Sequence, residues 1–143
     1  MTDASTVEPG LGGVLGFTYD EVSGDRVVMS WTVGPQHLQP FGIVHGGVYC
    51  AVHESAASTA GQAWLQDKGI VVGVNNNTDF LRQSKVGDVL RTVATPIHRG
   101  RTSQLWEITT TNAEDKLVSR GQVRLAHLDG TPPAEFLAAF GGS

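Results

Sequence analysis

The chain has 143 residues, 40% of them hydrophobic and 17% charged, which allows one domain with a full core and excludes disorder over most of the length. A net charge of −4 argues against broad binding to nucleic acid or to an anionic membrane surface. Cys50 is the only cysteine, so an internal disulfide is excluded and a reducing compartment fits; with no basic-then-apolar leader and no apolar run of spanning length, the expected location is the cytoplasm.

Residues 1–10 are polar and read as a flexible N-terminal tail, residues 11–130 as the folded domain, and residues 131–143 as a C-terminal tail. Val14–Glu21 and Arg26–Val33 alternate apolar and polar residues around Ser23-Gly24-Asp25, the pattern of a β-hairpin that Gly34-Pro35 ends. A loop from His37 to Val44 then delivers the chain to His45-Gly46-Gly47. From Val48 to Leu65 apolar and small residues run without proline, which predicts a long helix buried on most sides and closed by Lys68-Gly69. Gly47, Cys50, Ala51, Glu54, Ser58 and Gly61 recur at steps of three and four, so they share one face, small throughout except for a single carboxylate. A carboxylate placed there must be hydrogen-bonded, shifted in pKa or turned toward a cleft.

After the helix come four runs rich in Val, Thr and Ile: Ile70–Leu81, Val89–His98, Ser103–Asn112 and Leu117–Leu128. Short turn-like links between them predict an antiparallel meander of all four. Six strands and one long helix define an α+β class, a curved antiparallel sheet wrapped around a central helix. A last short helix is expected after Pro132-Pro133. Arg82, Lys85, Arg91, Arg99 and Arg101 face only Asp88 within residues 82–101, a basic segment suited to a small polyanion.

Gly42-x-x-His45-Gly46-Gly47 entering an apolar helix, Glu54 nine positions after the histidine, then Phe80-Leu81, Gly87-Asp88 and His98-x-Gly100-Arg101 resemble the hotdog-fold PaaI-type acyl-CoA thioesterases, and within them the Arthrobacter-type 4-hydroxybenzoyl-CoA thioesterases. The resemblance covers roughly residues 12–128. It implies a homodimer or a tetramer of two dimers, an acyl-CoA substrate in which coenzyme A is the leaving group rather than a cofactor, and hydrolysis to a free acid.

At the helix start the first N–H groups lack intrahelical partners and lie at the positive end of the dipole, and the bare Gly46 and Gly47 let a carbonyl oxygen approach. Such a Gly-Gly pair also serves simply as a tight turn. Glu54 is the candidate nucleophile or general base, with a structural carboxylate paired across a dimer as the plainer reading. It lies about 12 Å beyond Gly46 along the helix, so the expected site joins Glu54 of one subunit to the helix start of another. Gln39 and Ser58 match family positions; the resemblance implies that Gln39 helps bind or polarise the thioester and that Ser58 holds the attacking water or orients Glu54. His45 suits a structural role, bonding backbone at the helix entry, better than acid–base work. Family resemblance places the nucleotide of coenzyme A near Arg99, Arg101, Thr102 and Ser103, with Arg82 contributing; an ordinary charged hairpin is the alternative. His53 points about 100° away from Glu54, Trp31, Trp64 and Trp106 read as core or interface, and no ligand spacing suggests a metal. The competing functions are a hotdog hydratase or dehydratase, whose Asp-x-Asn-Pro-x-His-like run is missing, and a non-catalytic acyl-CoA-binding module. The sequence does not name the acyl group.

Overall fold

Along Ser103–Thr111 every second residue, from Gln104 through Trp106 and Ile108 to Thr110, is buried, so one face of that strand meets a core and the other does not. The computed structural model describes residues 8–140. In chain order it holds a short helix α1 (Leu11–Val14), strands β1 (Thr18–Val22) and β2 (Val27–Thr32), the long helix α2 (Gly46–Leu65), strands β3 (Ile70–Phe80), β4 (Val89–Arg99), β5 (Ser103–Thr111) and β6 (Leu117–Leu128), and helix α3 (Ala134–Phe140). The strands form one six-stranded antiparallel sheet in the order β1-β2-β4-β5-β6-β3, the hotdog arrangement with α2 laid across its buried face.

Alanines carry that packing. Val52, Ala56, Ala57 and Ala60 of α2 are fully buried with Met29, Trp106, Ile108 and Leu125 of the sheet. Their short side chains let the helix axis approach the strands, and a larger residue there overpacks the core at a cost of about 1–3 kcal/mol. Trp31 is sealed by edge-on contacts with Phe17 at 5.5 Å and His37 at 5.1 Å.

Three sequence expectations are corrected and one, the helix end, is refined. The first strand begins at Thr18, because residues Leu11–Val14 form α1 and Gly16, at φ +76°, turns the chain into β1. The meander holds only for β4, β5 and β6: β3 crosses to the far edge and pairs with β6 along Ile70–Phe80, while Leu81 and Arg82 N–H bond Val118 O. The α-helical part of the long helix ends at Leu65, and one 3-10 turn, Gln66–Lys68, carries it on to the expected close at Lys68-Gly69. Gln66, at φ 57°, turns the chain, and the buried Gln62 amide donates to Gln66 O and Gly69 O, both at 2.9 Å, and accepts from Val71 N–H at 3.1 Å. Gly61 leaves the exposed small face and packs on the sheet, where a Cβ would meet Leu125 Cδ1 at 2.3 Å.

Candidate active site

The face of α2 that the sheet leaves uncovered carries Gly47, Cys50, Ala51, Glu54, Ser55 and Ser58, and with Asn76 of β3, Glu8 and Leu11 it lines a cleft of about 550 Å³. Glu54 is exposed, and no hydrogen bond or ion pair reaches its carboxylate among the described residues. It faces a cleft, the third of the fates open to a carboxylate on that face. Its carboxyl group lies over the backbone of Gly73, where a Cβ would stand 3.3 Å from Glu54 Cδ. Ser58 sits one turn further along the same wall. Gly47 reaches this cleft from the helix start, whereas Gln39 and Gly46 do not line it.

At the helix start, His45 is the cap: its Nδ1 accepts the Gly47 N–H at 2.8 Å, and its own N–H donates to His37 O at 2.8 Å. That capping bond uses the Gly47 donor, which removes Gly47 as a second oxyanion donor. The Gly46 N–H, in contrast, has no partner among the described residues. With no Cβ, Gly46 leaves room for the Phe80 ring, whose Cε2 would lie 2.5 Å from a Cβ there. Gly46, Tyr49, Phe80, Leu81 and Arg82 line a second cleft of about 270 Å³, which places a cation near the open N–H. Gln39 accepts the Phe41 N–H through its amide oxygen, so its NH2 group is the donor it has to offer.

The other proposed coenzyme-binding residues lie at the opposite end of α2. Arg101 and Thr102 line a cleft of about 480 Å³ with Lys68, Trp64 and His127. Arg99 is already engaged: it donates to Gly24 O at 2.6 Å, pairs with Asp25 at 2.7 Å, and lies 5.7 Å over the Trp64 ring. Ser103 O accepts the Gly100 N–H that closes the turn.

Several contributing residues gave no sequence signal. Asn76 donates to Cys50 O at 2.9 Å and accepts from Thr78 at 2.7 Å, which ties β3 to the helix beside the cleft. His37, buried, donates Nε2–H to Leu15 O at 2.6 Å and accepts Gly34 N–H at 2.9 Å, which fixes the loop bearing Gln39. His53 is fully buried among Thr110, Ser119 and Thr78 hydroxyls, and burial pushes its pKa down to about 4, so it is neutral and structural. Glu8, counted with the tail in the sequence, is anchored by Tyr19 and Ser55; residues 1–7 lie outside the described residues. Among the described residues no group of three or more His, Cys, Asp or Glu gathers to hold a metal, and no helix is long and apolar enough to cross a membrane.

Residues 41–119 match the thioesterase superfamily, and the chain belongs to that family, in its hotdog, PaaI-like form. It is therefore a thioester hydrolase. It is 50% identical over 121 residues to "Putative esterase Rv1847" of Mycobacterium tuberculosis, covering 82% of this chain and 86% of that one. The structure of that esterase superposes with a TM-score of 0.79 over 83% of this chain and 96% of that one. AziG of S. sahachiroi superposes with a TM-score of 0.83 at 47% identity, over 87% of this chain and all of the other. The 1,4-dihydroxy-2-naphthoyl-CoA hydrolase of Escherichia coli K12 is 29% identical over 116 residues, 81% of this chain and 85% of that one.

Proposed function

We propose that the protein hydrolyses aryl- or medium-chain acyl-CoA thioesters at two equivalent sites, each shared between two copies of the chain, with a branch-level likeness to the 4-hydroxybenzoyl-CoA thioesterases. The observation that carries this reading is the unpaired Glu54 carboxylate in a cleft of small residues, beside an open edge strand. β3 pairs only with β6 in the described structure, and Val72 and Val74 are exposed along it, a long edge that a second copy can cover. With the two α2 helices antiparallel about that two-fold, the Gly46 N–H of one chain meets the Glu54 carboxylate of the other.

In this site the thioester oxygen accepts the Gly46 N–H, which lies at the positive end of the helix dipole and stabilises the charge that develops on attack. Glu54 either takes a proton from a water that attacks the carbonyl carbon, or attacks that carbon itself to give an anhydride that water then cleaves; in both routes coenzyme A leaves as the thiolate and the free acid is released. Gln39 donates its NH2 group toward the carbonyl, and Ser58 positions the water or the carboxylate. His45 holds the entry loop. Leu65 lies about 16 Å along α2 from Glu54, so Arg101 and Thr102, with Lys68, stand where an extended pantetheine arm would deliver phosphates, and Arg82 supplies a cation near the helix start. The likeness to a dihydroxynaphthoyl-CoA hydrolase supports the aryl choice.

Thiol release from a panel of acyl-CoA thioesters, run on wild type and Glu54→Ala, tests the reading. Release that collapses in the variant is expected; hydration of an unsaturated acyl-CoA without thiol release, or binding without turnover, overturns it.

A further inference from the structure

Beyond Ser58 the cleft at Glu54 abuts a second cavity, of about 330 Å³, roofed by α3 and walled by Tyr19, Val71, Phe136 and Phe140. Glu8 and Ser58 line both spaces, so the Glu8 carboxylate stands at their junction. This position is built. Tyr19 O–H donates to one Glu8 oxygen at 2.6 Å, Ser55 O–H donates to the other at 2.7 Å, and Gly12 lacks the side chain that would collide with it, a Cβ there falling 1.7 Å from Glu8 Oε2. Thr59 bonds the Tyr19 oxygen at 2.9 Å. Burial, and then the charge of Glu8, hold the Tyr19 phenol well above its usual value, so it stays protonated and remains a donor.

Resting on the thioesterase reading above, we propose that the cavity beneath α3 is the distal acyl subsite and that Glu8 is its specificity residue, selecting a flat aromatic acyl group with a neutral hydrogen-bond donor on its far ring. Each carboxylate oxygen has two acceptor positions, and the protein fills one on each. No cation pairs with Glu8 among the described residues, so the remaining positions are open to a donor from the ligand. An anionic acyl group meets like charge there and is rejected. Phe140 packs edge-on against Tyr19 at 5.1 Å, and Phe136 lies 5.0 Å from Phe140, a set of ring faces suited to a planar guest. The two spaces together fall within the ~300–1,000 Å³ usual for small-molecule sites.

The test compares kcat/KM for 2-naphthoyl-CoA, the same thioester hydroxylated on its distal ring, and benzoyl-CoA, in wild type, Glu8→Gln and Phe136→Ala. Ratios between substrates within one preparation cancel any loss of folded enzyme. Wild type is expected to favour the hydroxylated acyl group at least about tenfold, and Glu8→Gln to erase most of that preference. Phe136→Ala is expected to lower the naphthoyl-to-benzoyl ratio. Hydrolysis of all three thioesters with ratios unmoved by either variant overturns this inference and leaves the thioesterase reading standing. No hydrolysis of any of them by wild type, with octanoyl-CoA still hydrolysed, likewise overturns this inference and leaves the thioesterase reading standing; no hydrolysis of octanoyl-CoA either brings down that reading as well.

Discussion

If Glu54 and Gly46 act across a two-fold axis, two inactive chains should repair each other. Glu54→Ala removes the attacking or proton-accepting group, which costs on the order of 10²–10⁴ in turnover. Gly46→Ala blocks approach to the open N–H, and loss of one oxyanion donor costs about 10²–10³. The new methyl would sit 2.5 Å from Phe80 Cε2, but that ring is 55% exposed and can swing outward, so the fold survives at a cost within the ~1–3 kcal/mol of ordinary overpacking. In a heterodimer with one variant of each kind, one site holds both lesions and the other holds neither. Purified through two different affinity tags, that heterodimer should recover about half the wild-type turnover per dimer, assayed by thiol release. A heterodimer as inactive as its two parents would refute the shared site, because sites built within single chains would each retain one lesion.

Three further outcomes follow from the geometry. His53 is neutral when folded, with a pKa of about 4 against 6.5 when unfolded; as pH falls between those values the unfolded chain gains a proton that the folded one refuses. Stability should therefore fall by about 3 kcal/mol over that window, read from urea midpoints, and His53→Gln should flatten the slope; an unchanged slope removes His53 as the cause. Gly73→Val should displace the Glu54 carboxylate and lower kcat at least about tenfold with little change in Tm, since Gly73 is exposed; unchanged kcat would show that the carboxylate is not held there. Arg101→Ala should raise KM for acyl-CoA but not for the same acyl group on N-acetylcysteamine, which lacks phosphates, and salt should reproduce the effect in wild type; equal changes for both substrates would place Arg101 away from the nucleotide.

Local patterns were legible in the sequence where local chemistry decided them. Ser23 closes the first hairpin by accepting the Asp25 and Arg26 N–H groups, and Leu117–Leu128 is a strand over its whole expected length. The edge position of β3 was not legible: an eight-residue link to β4 looks like a hairpin connection, and only the pairing with β6 shows that it crosses. The α-helical stop at Leu65 was hidden because it rests on the Gln62 amide reaching carbonyls four and seven residues on, a bond with no propensity signal. Gly61 fell on the small face by a 100° step per residue, but that step does not tell how wide the buried arc is. The carboxylate on the helix and the bare residues at its start were readable as chemistry. Glu8 was not, since a glutamate in a polar leading segment looks like solvated surface until Tyr19 and Ser55 are placed beside it.

On the two-fold reading proposed above, assembly and chemistry are coupled through the same surface. The uncovered stripe of α2 and the open edge of β3 lie side by side, and each is poorly suited to water: the edge offers unpaired backbone groups, and Val74 is 57% exposed at the register shift between Gly73 and Asn75. A second copy that covers both also supplies the polarising N–H that Glu54 lacks in its own chain. Val74→Arg should therefore do two things together. A cation on each of two apposed edges weakens association, so sedimentation should shift toward monomer; turnover per chain should fall with it and return as concentration is raised. Val74 neighbours Gly73, over which Glu54 lies, so it is the return of turnover with concentration that reports on assembly. Full turnover from a Val74→Arg chain that sediments as a monomer would mean that one copy aligns its own N–H and carboxylate, and the two-fold site would have to be abandoned.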